Sequence, residues 1–270
     1  MLFADLTLAR RLEATDAAAG ADYVRAYAKL HPGSGAATLE VMGGSAAFAG
    51  VDSPVTQAFA LGLDGAVTAE ELDELEEFFR KRGAAVNIEL CPLADASLRE
   101  LLGERGYRVI EFSNVLVREL TPGDAKLTVN PAVTVRQPEP TDEGAYADVV
   151  SRGFFEGGEI PQFMKDVSEV FAHVGMVRFL AEVDGRAAGG GGVAVHNGVA
   201  TLGGAATLPE FRNRGVQTAL IQARLAFAAA AGCDLAMVTT MPGSASYRNA
   251  EREGFRIVYT RCKLTRDVAD

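Results

Sequence analysis

The chain is predicted to be an α/β (α+β) protein built from two related halves. Three observations carry that expectation. Apolar patterns over residues 133–264 alternate between strand and helix periods in the order β-α-α-β-β-β-α-β-α-β-β. A strand, a short helix, a Gly-aromatic turn and a second strand occur twice, about 148 residues apart. Between the halves, residues 119–132 (ELTPGDAKLTVNPA) hold two prolines, a glycine and no apolar periodicity, and read as a linker. The boundary is therefore placed at 124/125, with domains 1–124 and 125–270.

The second half opens with a strand at 133–136. Thr141 suits the N-cap of a helix whose apolar face carries Tyr146, Val149 and Val150. A glycine-rich loop at 153–159 leads to a helix from Pro161, a residue suited to a first helical position, to about His173. Strands at 177–183 and 187–196 flank Asp184-Gly185, and Asn197-Gly198 leads into a strand at 199–206; both dipeptides favour two-residue hairpin turns. The run Gly189-Gly190-Gly191-Gly192 weakens a strand, so it implies a close backbone approach, a bulge or room for a substrate. A basic turn at 209–215 opens a helix that runs to about Ala231. A strand at 234–239 and a helix at 244–253 follow, and strands over 255–264, bending near Thr260, close the chain.

The first half repeats the later elements. Residues 83–90 parallel 232–239, and residues 96–110, with Gly106-Tyr107, parallel 245–258, with Gly254-Phe255. The counterpart of the basic turn is Asp64-Gly65-Ala66-Val67-Thr68-Ala69-Glu70-Glu71, which has no arginine and three carboxylates. Acids suit a helix start but repel an anionic ligand. The first half is expected to be a degenerate copy that binds no cofactor.

The turn itself, Pro209-Glu210-Phe211-Arg212-Asn213-Arg214-Gly215-Val216-Gln217-Thr218-Ala219-Leu220, has the chemistry of an anion site. It joins a strand to a helix, so unpaired N–H groups and the positive end of the helix dipole converge on one spot. Arg212 and Arg214 add charge there, and Gly215 lets the backbone approach a phosphate. The pattern Arg-x-x-Gly-x-(small residue) after a strand resembles the pyrophosphate loop of the GNAT superfamily of acyl-CoA-dependent N-acetyltransferases. Gln217 stands where the motif has a small residue.

This resemblance implies two tandem GNAT-like domains, each a central mixed, mostly antiparallel sheet flanked by helices. It implies acetyl-CoA as co-substrate, held at its pyrophosphate by Arg212, Arg214, Gly215, Val216, Gln217, Thr218 and Ala219. Its pantetheine arm would pair along the strand end at Ala205, Ala206, Thr207 and Leu208, which in the family splays from the next strand. Acyl transfer to an amine needs a proton acceptor and benefits from an acid for the departing thiolate. The family's usual tyrosine position, five residues before the Gly-Phe phenylalanine, is Ala250 here. Tyr247, one helical turn earlier, is the candidate acid, against a packing role. Glu156 and Glu159, in the loop that borders the acceptor site in the family, are the candidate bases, against plain exposed loop acids. Ser244, Ser246 and Asn249 begin the short helix and serve as caps or meet the cofactor.

Composition removes other classes. Forty-eight per cent apolar and 23% charged residues are ordinary for a folded domain. A net charge of −10 argues against a nucleic-acid partner and suits a cationic amine, a small molecule or a peptide. The apolar runs are too short for a membrane span, and residues 1–5 lack the start of a signal peptide. Three unspaced cysteines fit reduced thiols in the cytoplasm, and three scattered histidines make no zinc site, so no metal is expected. The expected assembly is a monomer or homodimer. The rival reading is a non-catalytic acyl-CoA-binding regulator, motivated by Ala250. A transferase using charged tRNA is disfavoured by the acidic charge.

Overall fold

The computed structural model describes residues 2–51, 53–126, 130–155, 167, 169–171 and 173–267. The chain divides into two compact units, residues 2–115 with 257–267, and residues 116–256, within these described residues. The sequence places one cut near residue 125. The compact units are cut instead within a strand at 115/116 and again at 256/257, because the last strand packs with the first unit.

In the first unit a long helix, α1 (Leu6–Leu30), starts at Asp5, whose carboxylate accepts the Leu8 N–H at 2.8 Å. The sheet order is β1 (Ala37–Val41), β2 (Gly44–Phe48), β3 (Gln57–Phe59), β4 (Val86–Leu90), then β11 (Arg256–Arg266) beside β5 (Arg108–Glu119). Only β3 and β4 run parallel among the registered pairs; β1–β2, β2–β3 and β4–β11 are antiparallel. Two helices, α2 (Ala69–Arg80) and α3 (Ala96–Glu104), bury Leu72, Leu75, Phe79, Leu98 and Leu102 in one apolar core with Ile88 and Leu264. β11 is one strand through Thr260, so the expected bend there is absent. Its alternation toward this core supplies the reason, since Leu264 packs in and the ladder with β4 continues to Arg266.

The described elements of the second unit follow the predicted order as far as the last helix, and the strand after it, β11, packs with the first unit. The sheet of the second unit reads β6 (Thr134–Arg136), β7 (Val177–Val183), β8 (Arg186–His196), β9 (Val199–Thr207), β10 (Leu235–Thr240). All neighbours are antiparallel except β9–β10. Both hairpins use the predicted dipeptides with positive φ at each position: 52° and 72° at Asp184-Gly185, 50° and 74° at Asn197-Gly198. Helix α4 (Glu143–Phe154) starts after Asp142 rather than at Thr141. Asp142 is held by Arg136, 2.5 Å away, and by the Glu139 N–H, so a short 3₁₀ turn (Pro140–Asp142) precedes the helix. Of the helix expected from Pro161 to His173, Val167 and residues 169–171 are helical; 161–166, 168 and 172 lie outside the described residues. Helices α5 (Val216–Ala230) and α6 (Ala245–Arg252) complete the unit.

The glycine run in β8 answers to packing on both faces. A Cβ at Gly190 would come within 2.8 Å of Val150 on α4, and one at Gly189 within 2.7 Å of Val216 on α5. The ladder with β9 also slips between Gly190 and Gly192: Gly190 faces Ala206 and Gly192 faces Gly203. Gly191 therefore opposes two residues, Gly204 and Ala205, and Gly204 takes φ 58°. That is a β-bulge on β9.

The repeat extends to hydrogen bonds. Gly83 and Gly232 end α2 and α5 with φ 65° and 81°, and Ala84 and Cys233 each donate back into the helix, to Phe79 and Ala228. Gly106 and Gly254 end α3 and α6 the same way, with Tyr107 donating to Leu102 and Phe255 to Ala250. Left-handed glycine caps at matching positions are what a duplicated unit retains.

Candidate active site

Phe211 anchors the basic turn: it is buried, and its N–H donates to Leu208 O at 2.9 Å. The chain then passes through Asn213 at φ 60° and Gly215 at φ 81° and enters α5. Gly215 is the N-cap and brings no side chain to the first-turn N–H groups, which are left facing outward for a ligand. The first-unit counterpart differs at this point. Thr68 accepts the Glu71 N–H, and Glu71 in return accepts the Thr68 N–H, a closed capping box at the start of α2.

The second condition for a long coenzyme is an edge to lie along. β9 and β10 pair only over Val199–Leu235, Ala200–Ala236 and Thr201–Met237. Beyond that both strands continue, β9 to Thr207 and β10 to Thr240, without pairing to each other. Among the described residues the splay leaves one edge of residues 202–207 unpaired, with small residues at Gly203, Gly204, Ala205 and Ala206.

A cavity of about 710 Å³ opens at this place. It is lined by Ala205, Ala206 and Thr207 from β9, by Arg212, Gly215, Val216, Gln217 and Thr218 from the turn and α5, and by Gly153 and Phe154 from the end of α4. Phe211 and Asn213 of the turn also line it, and the opposite wall is one face of α6: Ala245, Ser246, Arg248, Asn249 and Arg252. Among the described residues the lining holds three arginines and no carboxylate, in a chain of net charge −10.

The predicted residues are distributed as follows. Ala206, Thr207, Arg212, Gly215, Val216, Gln217 and Thr218 come together in the lining. Leu208 and Ala219 are buried in the adjoining core. Arg214 turns away, pairing with Asp184 at 2.9 Å and stacking its guanidinium 5.7 Å from the Phe211 ring centre. Gln217 donates its amide to Thr207 Oγ1 at 2.7 Å, so its side chain ties α5 to β9. Tyr247 is outside the lining, half-buried against the core; its hydroxyl donates to Glu251 Oε1 at 2.6 Å, and that bond holds its pKa above the usual value. Ser244 caps α6 through the Tyr247 N–H at 3.1 Å. Ala250 is a core residue. Glu156 and Glu159 lie outside the described residues.

Sequence reasoning passed over Arg248 and Arg252. The signal was available: 245, 248, 249 and 252 follow the i, i+3, i+4, i+7 spacing of one helix face. Among the described residues no group of three or more His, Cys, Asp or Glu could hold a metal, and no helix is long and apolar enough to cross a membrane.

An open helix N-terminus, a splayed strand edge and an arginine-lined cavity meet at one place in the second unit. Residues 150–255 match the acetyltransferase (GNAT) family. The second half of the chain thus carries a GNAT acetyltransferase domain, which implies acyl transfer from acyl-CoA. The fold of the whole chain is similar to a GCN5-related N-acetyltransferase from Kribbella flavida, at 18% identity and TM-score 0.65, covering 94% of this chain and 96% of that one. It is also similar to a tandem GNAT protein from the clavulanic acid biosynthesis pathway, at 15% identity and TM-score 0.63, covering 100% and 98%. A GCN5-related N-acetyltransferase from Sphaerobacter thermophilus matches at 16% identity and TM-score 0.57 over 79% and 72%. These likenesses give the fold: two tandem GNAT-like domains. A search of the curated proteins matches none.

Proposed function

We propose that the protein is an N-acetyltransferase that moves an acetyl group from acetyl-CoA directly to an amine of a small molecule or peptide. One cofactor is bound per chain, by the second half. The reading rests chiefly on the contrast between two helix starts. Gly215 leaves the first turn of α5 uncapped beside three arginines, whereas Thr68 and Glu71 close the first turn of α2.

In this reading the N–H groups of residues 215–218, with Arg212, hold the pyrophosphate, and the free edge at residues 205–207 pairs with the pantetheine amides. Acetyl-CoA supplies the thioester. The amine loses a proton and its nitrogen bonds to the acyl carbon; the C–S bond breaks, and the thiolate takes up a proton. We assign proton acceptance to Glu156 and Glu159 and protonation of the thiolate to Tyr247, whose raised pKa keeps the proton on its hydroxyl at neutral pH. For that role the hydroxyl must leave Glu251.

A second reading, a non-catalytic acyl-CoA-binding regulator, is favoured by Ala250 in the core and by Tyr247 being engaged with Glu251. Calorimetry with acetyl-CoA, followed by thiol release over a panel of amines, separates the two. Binding at one equivalent with amine-dependent release supports the transferase. Binding without turnover on any amine supports the regulator, and no binding removes both.

A further inference from the structure

Arg248 and Arg252 lie on the face of α6 that lines the cavity, and both are exposed there. They stand at i and i+4, so their Cβ atoms are about 6 Å apart. Like charges at that spacing work against a helix, and α6 has only eight residues. Arg252, in the last turn, suits the helix dipole. Arg248 lies a turn closer to the positive end, where the dipole favours an acid. The neighbouring acids are engaged with neutral groups: Glu251 accepts from the Tyr247 hydroxyl at 2.6 Å, and Glu253 from the Gln222 amide at 3.2 Å. The stability of α6 therefore does not account for this pair of cations.

Their position relative to α5 is informative. Residues 215–218 at the start of α5 line the same cavity. One and two turns further along α5, Gln222 and Leu225 line a second cavity of about 450 Å³, with Lys126, Glu253 and Gly254. That volume is in the range of small-ligand sites. Arg252 lines both cavities. The space in front of the α5 N-terminus thus continues between α5 and α6, past the two arginines. A ligand whose pyrophosphate rests on the first turn of α5 has room there for the group attached to its other end.

In coenzyme A that group is adenosine bearing a 3′-phosphate. The 3′-phosphate is a monoester, so it carries close to two negative charges at neutral pH, and it has three acceptor oxygens. Two guanidiniums a helical turn apart match it in charge and in paired N–H donors. We infer that Arg248 and Arg252 form a subsite for the 3′-phosphate, so that the protein selects CoA over its 3′-dephospho form. The inference rests on the acyl-CoA reading of the cavity, in which the N–H groups of residues 215–218 and Arg212 take the pyrophosphate.

The test is calorimetry on the full chain with CoA and 3′-dephospho-CoA. The wild type is expected to bind CoA about tenfold more tightly, the scale of two exposed charge pairs. Arg248→Gln and Arg252→Gln are each expected to narrow that preference to about threefold, and the double variant to abolish it. Affinity for 3′-dephospho-CoA is expected to change less than about twofold in all three, which also shows that the site is still folded. In the wild type the preference is expected to shrink in about 0.5 M salt, because exposed charges are screened. Equal affinity of the wild type for the two ligands overturns the inference and leaves the acyl-CoA reading standing. A preference that survives in the double variant, or that ignores salt, also overturns it. Equal losses for both ligands in the variants would place the arginines on the pyrophosphate instead. Wild-type protein that binds neither ligand sinks the acyl-CoA reading and the inference with it.

Discussion

Gln217 donates its side-chain amide to Thr207 Oγ1 at 2.7 Å. The bond joins the first turn of α5 to the last residue of β9, the two elements that would hold the pyrophosphate and the pantetheine arm. It also explains how a larger residue is accommodated where the GNAT turn has a small one: the side chain is turned onto the strand and leaves the backbone N–H open. Losing one neutral hydrogen bond costs ~1 kcal/mol. Gln217→Ala and Thr207→Val are each expected to weaken acetyl-CoA binding about fivefold. The double variant is expected to be no weaker than either single one, because both remove the same bond. Calorimetric Kd values for the four proteins check this, and additive losses would show that the residues act separately.

Gly215 is constrained twice. Its φ of 81° is strained for any residue with a side chain, and a Cβ there would come within 2.6 Å of Asn130 Nδ2. Gly215→Val is expected to weaken CoA binding by more than 100-fold, on the order of the ~3 kcal/mol that combined strain and crowding cost. Far-ultraviolet circular dichroism is expected to stay that of the wild type. On the first unit, Glu71→Ala breaks the capping box with Thr68 and is expected to lower stability by ~1 kcal/mol while leaving CoA affinity unchanged. A change in CoA affinity on that substitution would contradict the assignment of one cofactor loop per chain.

Much of this was legible because the signals are local. The hairpin dipeptides, the repeated Gly-aromatic turns at 106 and 254 and the strand-turn-helix at 209–220 each fix backbone geometry within a few residues. Two things were not legible. Arg214 was expected at the ligand, but Asp184, 30 residues earlier, claims it, and nothing in the turn announces that partner. The last strand reads as the end of the second half, yet it packs with the first unit through Leu264 and through Arg261, whose Nε donates to Glu13 at 2.8 Å across 248 residues of chain. Pairings of that separation leave no trace in periodicity. The glycine run of β8, by contrast, was legible as a close approach or a bulge, and Val150, Val216 and the slip opposite Gly191 supply both.

Tyr247 offers a kinetic test. Its hydroxyl bonds to Glu251 at 2.6 Å, and this bond is the main cause of its raised pKa. As the acid for the thiolate, its loss in Tyr247→Phe is expected to lower kcat by tenfold or more with KM for acetyl-CoA changed less than twofold, and to remove the basic limb of the pH–rate profile. Glu251→Gln is expected to shift that limb toward lower pH, since the charge that restrains the phenol is gone. A kcat within twofold of wild type in Tyr247→Phe would assign the hydroxyl to holding α6 and favour the regulator reading.

The first unit is expected to be alkali-sensitive, from three buried protons. Burial, then the charge of Glu13, pushes the Cys91 thiol up to about 12. Burial and neighbouring carboxylates likewise raise Tyr259, which donates to Glu13 at 2.8 Å, and Tyr107, which donates to Glu76 at 3.2 Å. Each folded-state pKa lies above the unfolded one, so the native state holds these protons more tightly. Their contribution to stability is complete below about pH 9, the unfolded thiol value, and is lost as pH climbs toward 12. The urea midpoint of the protein is therefore expected to be flat up to about pH 9 and to fall above it. Cys91 is expected to resist iodoacetamide at pH 8.5 in native protein and to react fully in denaturant, because the thiolate is the nucleophile. Glu13→Gln removes a negative charge beside the thiol, so alkylation of native Cys91 is expected to begin at lower pH in that variant. Native Cys91 reacting at pH 8.5 as fast as the denatured thiol, by mass spectrometry, would show that the thiol is not buried beside the Glu13 charge.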